Sequence, residues 1–259
     1  MKETALVTGA SSGIGEDLAR LIAAGGRNLV LVARSADKLQ AMAGQLSAAH
    51  SIEATVLAAD LSDASASSEI ARTLSAREIT IDILVNNAGF GTAGAFALED
   101  SRTHEDMLQV NVVALTSLTR AFLPGMLERK RGRILNVAST AAFQPGPFMT
   151  VYYASKAYVL SFSEALAEET AGTGVTVTCL CPGPTHTGFQ SRAQIEKSRL
   201  FNLARPMQSS DVARAGYDAM LAGRRLVIPG TMNKIGAQSI RFTPRALALK
   251  ILRFLNTGS

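Results

Sequence analysis

Cysteine is almost absent. The 259-residue chain has two, Cys179 and Cys181, too few for a disulfide framework and spaced neither as C-x-x-C nor as a zinc site. Reduced core thiols are the expectation. Histidine is as sparse: His50, His104 and His186 lie scattered without metal-ligand spacing, so no metal is expected and none is assigned a catalytic role. No stretch reaches the roughly 18 consecutive apolar residues of a membrane span. Met1-Lys2-Glu3-Thr4 leads straight into a strand-like Ala5-Leu6-Val7, which fits no secretory signal and makes the cytoplasm the expected location. Charged residues are only 18% of the chain against 47% hydrophobic, which excludes a disordered tail protein. Repeats, low-complexity tracts and Ser/Pro linkers are missing too, so residues 1–259 are expected to form a single domain.

What charge there is divides unevenly. Residues 1–189 carry 14 basic and 18 acidic side chains, whereas residues 190–259 carry 12 and 3. An anionic partner, if any, is expected at the C-terminal quarter; no motif points to nucleic acid.

Apolar β-type runs recur at Thr4–Thr8, Asn28–Ala33, Ala54–Ala58, Ile81–Val85, Arg133–Ala138, Val175–Leu180 and Arg225–Ile228. Helix-length patterns such as Leu18, Leu21, Ile22 and Phe162, Leu166, Ala167 lie between them. Alternation of this kind predicts an α/β fold with a parallel sheet, and continuously apolar strands predict helices on both faces, a doubly wound sheet of about seven strands. The irregular stretch over about 184–206 is long for a loop and is expected to be a lid.

The first strand runs into Thr8-Gly9-Ala10-Ser11-Ser12-Gly13-Ile14-Gly15 and then a helical pattern. Glycines let backbone N–H groups approach phosphate oxygens, and the helix dipole favours the negative charge, so Gly9, Ser11, Ser12, Gly13, Ile14 and Gly15 are expected to hold a pyrophosphate. About 20 residues beyond such a turn an acid selects the ribose 2′-hydroxyl of NAD, and an arginine accommodates the 2′-phosphate of NADP. Here Arg34 follows the second strand and predicts NADP(H); Asp37 reads as an exposed first-turn carboxylate. Asp60, ending the third strand, is placed to accept from an adenine amino group, and Asn86 is read as half structural.

TGASSGIG, Asp60-Leu61 and the Asn86-Asn87-Ala88-Gly89 run resemble the short-chain dehydrogenase/reductase superfamily, from Thr4 to about residue 190. That resemblance implies a Rossmann-type sheet, a nicotinamide cofactor, and cofactor contacts also from Leu61, Asn87, Ala88 and Gly89. Four further residues fit its pattern: Asn111, Ser139, Tyr152 and Lys156. Residues i and i+4 share a helix face, so Lys156 can sit beside the Tyr152 phenol and favour its ionised form; Tyr153, three residues from Lys156, could neighbour it as well. The resemblance to Y-x-x-x-K selects Tyr152 and leaves Tyr153 as a packing residue. It implies that Tyr152 exchanges a proton with the substrate oxygen, Ser139 polarises that oxygen, Lys156 also grips the nicotinamide ribose, and Asn111 anchors a water. Pro182, Gly183, Thr185 and Thr187 resemble the family's strand-to-lid junction, with Thr187 the candidate contact to the nicotinamide amide.

Phe90, Phe143, Pro145, Pro147, Phe148 and Met149 flank these positions, and Phe189 and Phe201 fall in the lid. Together they predict an apolar pocket for a hydrophobic ketone or 3-oxoacyl substrate. A non-catalytic NADP-binding scaffold or sensor, and an NAD-dependent alcohol dehydrogenase, are the competing readings. The implied assembly is a homodimer or homotetramer. At the C-terminus, Thr243 reads as an N-cap and Pro244 as the first-turn proline of an amphipathic, basic helix over about 243–255. Its apolar stripe would ordinarily dock on the domain or a second subunit; an anionic membrane surface or an acidic acyl carrier is the other expectation.

Overall fold

A computed structural model of the chain describes residues 2–188 and 206–257. Strands β1 (Thr4–Thr8), β2 (Asn28–Ala33), β3 (Ala54–Ala58), β4 (Ile83–Asn86), β5 (Gly132–Val137), β6 (Val175–Leu180) and the short β9 (Leu226–Val227) form one sheet. Their order is β3-β2-β1-β4-β5-β6-β9, every pair parallel. Between them run α1 (Gly13–Ala24), α2 (Ala36–His50), α3 (Ala66–Ala76), α4 (Ser101–Leu108), α5 (Leu115–Glu128), α6 (Thr150–Glu169) and α7 (Ser209–Leu221). The chain ends in α8 (Thr231–Ser239) and α9 (Arg245–Asn256).

Alternate strand residues feed two cores. Ala5, Val7, Leu29 and Leu31 pack with Leu18 and Ile22 of α1 and Val212 and Tyr217 of α7. Leu6, Val30 and Leu84 pack on the opposite face with Leu74 of α3, Leu118 and Met126 of α5 and Leu166 of α6. Helices therefore cover both faces, as continuously apolar strands require. The strand order reverses beside β1, between β1 and β4, which opens a crevice at the carboxyl ends of the strands.

Three local expectations change. β4 starts two residues later than expected, although the Asp82 N–H already donates to the Thr4 carbonyl of β1 at 2.9 Å. The helical stretch Ser101–Glu128 is long and apolar enough, by length and composition, to cross a membrane, since it holds a window of 18 residues with a mean hydropathy of 1.3. Counting only uninterrupted apolar residues overlooked it; in the fold Leu118 and Met126 lie in the core described above. Finally, Thr243 does not cap α9: its hydroxyl donates to the Ser239 carbonyl at 3.0 Å, and Pro244 occupies the cap position. Of the stretch expected to be a lid, the structure describes only the two ends, where β7 (Thr185–His186) pairs with β8 (Met207–Gln208). Phe189 and Phe201 lie outside the described residues.

Candidate active site

The glycine turn is built against the loop after β4. Asn87 Nδ2 donates to the carbonyls of Thr8 (2.9 Å) and Gly9 (3.3 Å), while Thr8 Oγ1 accepts from the N–H groups of Asn87 and Ala88, both at 3.0 Å. Asn87 thus spends its side-chain donor on the turn itself. Gly9, at φ +65°, and Gly13, at φ +57°, adopt the left-handed region that favours glycine. Ser12 is the N-cap of α1, yet its side chain makes no capping hydrogen bond. The first turn of a twelve-residue helix therefore presents donors without a side-chain cap at the sheet's switch point, which fits a dinucleotide pyrophosphate. The methyl group of Thr187 packs over this turn: a Cβ on Gly13 would lie 3.0 Å from its Cγ2.

Arg34 and Asp60 leave the ends of β2 and β3 side by side, 3.7 Å apart and exposed. Burial pushes the Asp60 carboxyl up, but the hydrogen bonds from Ser62 and the charge of Arg34 outweigh it and hold the group below its ordinary range. Asp37 is exposed in the first turn of α2. Leu61 buries its side chain in the second core, which leaves only its backbone for a nucleotide. Asn86 belongs to a buried chain: its Nδ2 donates to Thr119 Oγ1 and Asn136 Oδ1, and Asn136 donates to Ser163.

The four candidate catalytic residues converge from three elements. Ser139 follows β5 and caps a short 3₁₀ turn, Thr140–Phe143, its Oγ accepting from the Ala141 N–H at 3.1 Å. Its hydroxyl is hydrogen-bonded to the Tyr152 phenol. Tyr152 and Lys156 lie one turn apart on α6, the ammonium 5.9 Å from the tyrosine ring centroid. Asn111 sits in a π-helical turn, Gln109–Ala114, between α4 and α5. Its Oδ1 accepts from the Phe90 N–H (3.0 Å), and its Nδ2 donates to the Phe90 carbonyl (2.9 Å) and to Ser155 Oγ (3.0 Å). Ser155 in turn donates to the Tyr152 carbonyl at 2.7 Å, so Asn111 and Ser155 fix α6 to the loop after β4. Position 89 is tight, since a Cβ would lie 3.0 Å from Asn111 Oδ1 and 3.3 Å from Lys156 Nζ, so a larger residue would push on both. After β6, the Pro182 carbonyl accepts from the Thr140 N–H at 2.8 Å, and Thr185 Oγ1 donates to the Gly183 carbonyl at 2.9 Å.

The electrostatics differ from the sequence expectation. Burial pushes the Tyr152 phenol up to about 12, with only partial relief from the Ser139 hydrogen bond. Lys156 does not depress it, because the ammonium donates to the Val137 carbonyl at 2.9 Å and is itself pushed down to about 8 by burial. The native state thus holds this proton less tightly than the unfolded chain, so stability rises with pH between about 8 and 10.5. Below that window the buried charge costs about 3 kcal/mol. Lys156→Met is expected to remove this cost while losing one hydrogen bond of about 1 kcal/mol, a net gain of about 1–3 kcal/mol at pH 7. Denaturant unfolding at pH 7 and at pH 10.5 checks this: the gain should vanish at the higher pH, and a loss of stability at pH 7 would contradict it.

Two residues absent from the sequence reading complete the site. Ser155 is the first. Asn256 is the second: its Nδ2 donates to the Pro147 carbonyl at 2.9 Å, and its Oδ1 accepts from Tyr153 OH at 3.2 Å. Arg253 of the same helix lies 6.0 Å from the Phe148 ring centroid, and Phe148 holds a left-handed φ of +64°. The last helix therefore clamps the segment that enters α6. Its signal in sequence was a polar side chain on the helical face of Ala248 and Leu252. Among the described residues no cluster of metal-ligating side chains occurs, and both cysteines are free and buried.

The short chain dehydrogenase family model matches residues 3–198, three-quarters of the chain. The chain belongs to the short chain dehydrogenase family. Over 249 residues it is 36% identical to the very-long-chain 3-oxoacyl-CoA reductase of Rattus norvegicus, covering 93% of this chain and 77% of that one. It is 34% identical over 207 residues to the ketoacyl reductase HetN of Nostoc sp., covering 79% and 71%. Against other curated relatives, such as the Bos taurus very-long-chain 3-oxoacyl-CoA reductase, the match spans only 58% of the relative's length. The fold superposes on a short-chain dehydrogenase from Sphingobium yanoikuyae in complex with NADPH with a TM-score of 0.82 and 30% identity, covering 94% of this chain and 96% of that one. This short-chain dehydrogenase carries the seven-stranded Rossmann-type sheet of its relatives.

Proposed function

We propose that this short-chain dehydrogenase is an NADP(H)-dependent reductase of 3-oxoacyl compounds or comparably bulky apolar ketones. The observation that carries the substrate class is the wall around the candidate proton donor. Tyr152 packs with Met107, Ala141, Met149 and Tyr153, and with the partly buried Phe90, Ala93 and Val151. The described side chains packed around Tyr152 are apolar, and apolar surroundings reward an apolar substrate over a sugar or amino acid. The reductases of the rat and of Nostoc named above act on substrates of this kind, which supports the reading.

The bound nicotinamide supplies the hydride. Tyr152, protonated throughout the physiological range, donates its phenolic proton to the carbonyl oxygen, and the Ser139 hydroxyl hydrogen-bonds the same oxygen. Lys156 holds its ammonium beside the phenol and next to Gly89, positioned for the ribose and for returning a proton to Tyr152. The Asn111 side chain is consumed by Phe90 and Ser155, so its anchoring of a water passes to the main chain, where a π-turn displaces carbonyls from the regular helical pattern. A panel of 3-oxoacyl thioesters of increasing chain length, followed by NADPH oxidation, tests the reading. Rising kcat/KM with length supports it; turnover confined to sugars or short polar ketones rejects it.

Arg34 supplies the cofactor preference. Its ion pair with Asp60 is exposed and easily broken, which frees the guanidinium for a 2′-phosphate. A charge-assisted contact of about 1.5–3 kcal/mol predicts that Arg34→Ala raises the NADPH dissociation constant roughly ten- to a hundredfold. NADH affinity should hold steady in the same titration. Equal weakening of both cofactors would remove Arg34 from the 2′-phosphate site.

A further inference from the structure

The C-terminal helices carry more apolar surface than the fold uses. On α9 the buried positions are Ala248, Leu252 and Asn256, one narrow face at i, i+4 and i+8. Leu247 and Ile251, one position back around the helix, are 50% and 46% exposed, with Phe254 at 56% on the same side. Phe242, just before α9, is 88% exposed, and Met232 and Ile235 of α8 are exposed as well. Amphipathic helices in soluble domains turn such a stripe inward; here half of it faces outward.

Within this part of the sequence the charge has one sign. After Asp218 the chain contains no acidic residue, while Arg224, Arg225, Lys234, Arg241, Arg245, Lys250 and Arg253 are all basic. At 100° per residue, Lys250 borders the stripe of Leu247, Ile251 and Phe254, and Arg253 follows beyond it. A second copy of this chain is a poor occupant, because an isologous contact would set these basic helices against each other, and neither helix carries a carboxylate to pair. Apolar side chains edged by cations are what a bilayer with anionic headgroups accepts: the side chains enter the headgroup boundary and the cations meet phosphate.

We propose that the α8–α9 face is a docking surface for an anionic lipid bilayer. The surface lies on the helix whose opposite face clamps Pro147 and Tyr153, so docking would place the bilayer within one helix diameter of the segment that enters α6. That link to substrate rests on the apolar-ketone reading; the binding itself does not.

The test is co-sedimentation of the full chain with phosphatidylcholine vesicles, and with vesicles also containing phosphatidylglycerol, at low and high salt. Binding is expected only to the anionic vesicles and only at low salt. Lys234→Gln/Arg245→Gln/Lys250→Gln should weaken it about fivefold per charge removed, and Leu247→Ser/Ile251→Ser should abolish it. Both variants should still oxidise NADPH with a short soluble ketone, which shows that they fold. Equal binding to both vesicle types overturns the proposal. So does absence of binding, whether Leu247→Ser/Ile251→Ser then lowers the oligomeric state, which would give the face to a second copy, or an acidic acyl carrier protein binds instead. Vesicle binding without turnover of any 3-oxoacyl thioester would sink the substrate reading and leave the docking surface standing.

Discussion

Tyr152→Phe is expected to lower turnover by about two to four orders of magnitude, the usual cost of removing a general acid, while cofactor affinity stays unchanged. The substitution keeps the ring that fills the site among Met107, Ala141 and Met149 and removes only the hydroxyl bonded to Ser139. Stability should therefore change little: the lost hydrogen bond costs about 1 kcal/mol, and the site is left with an apolar ring in apolar surroundings. Tyr153→Phe is the control. Its hydroxyl is committed to Asn256 on α9 rather than to Ser139, so it should lose stability by a similar amount and turnover by only a few-fold. Steady-state kinetics with direct cofactor titration of both variants decides the matter. An inverted ranking would move the proton donor to Tyr153, and two near-normal variants would end the reductase reading.

The second large effect is expected at Gly15. A Cβ there would lie 2.3 Å from Asn87 Nδ2 and 2.4 Å from the Gly9 carbonyl oxygen. The Asn87 amide is held by Thr8 and Gly9, and the Gly9 carbonyl is backbone, so neither can yield without opening the turn. Overpacking of this kind costs about 1–3 kcal/mol and sometimes more. Because the displaced atoms belong to the turn proposed to cradle the pyrophosphate, Gly15→Ala should also weaken dinucleotide binding at least about tenfold, a loss of 1.4 kcal/mol or more. Gly44 in α2 gives the contrast, since a Cβ there meets nothing within 4 Å. Gly44→Ala should stabilise the fold by about 0.5–1 kcal/mol through helix propensity. Thermal unfolding and cofactor titration of the pair test this together; a tolerated Gly15→Ala would mean that the turn adapts.

Much of the site was legible because its parts are local. The glycine turn reads from consecutive residues, the Tyr152–Lys156 pair from one helical turn, and the placement of Arg34 and Asp60 from where two strands end. Asn256 was not legible in this way: it lies 103 residues from Tyr153 and 109 from Pro147, and nothing in a helical pattern says which distant carbonyl a polar side chain will meet. Ser155 escaped for a related reason. A serine inside a helix has many uses, and only the fold brought Asn111 within 3.0 Å of it.

By itself, the sequence determined the alternation of strand and helix, the doubly wound sheet and the residue types at its carboxyl edge, since hydrophobic period, turn glycines and i,i+4 spacing are short-range properties. Only the tertiary structure decided the state of those residues. Burial, summed over neighbours from the loop after β4, β5 and α6, reversed the expected direction at Tyr152 and turned the Lys156 ammonium toward the Val137 carbonyl. It also decided that α9 buries Ala248 and Leu252 but leaves Leu247 and Ile251 outside. The stripe in the sequence spans both pairs, and how much of it is covered depends on the width of the surface it meets, which no local pattern encodes.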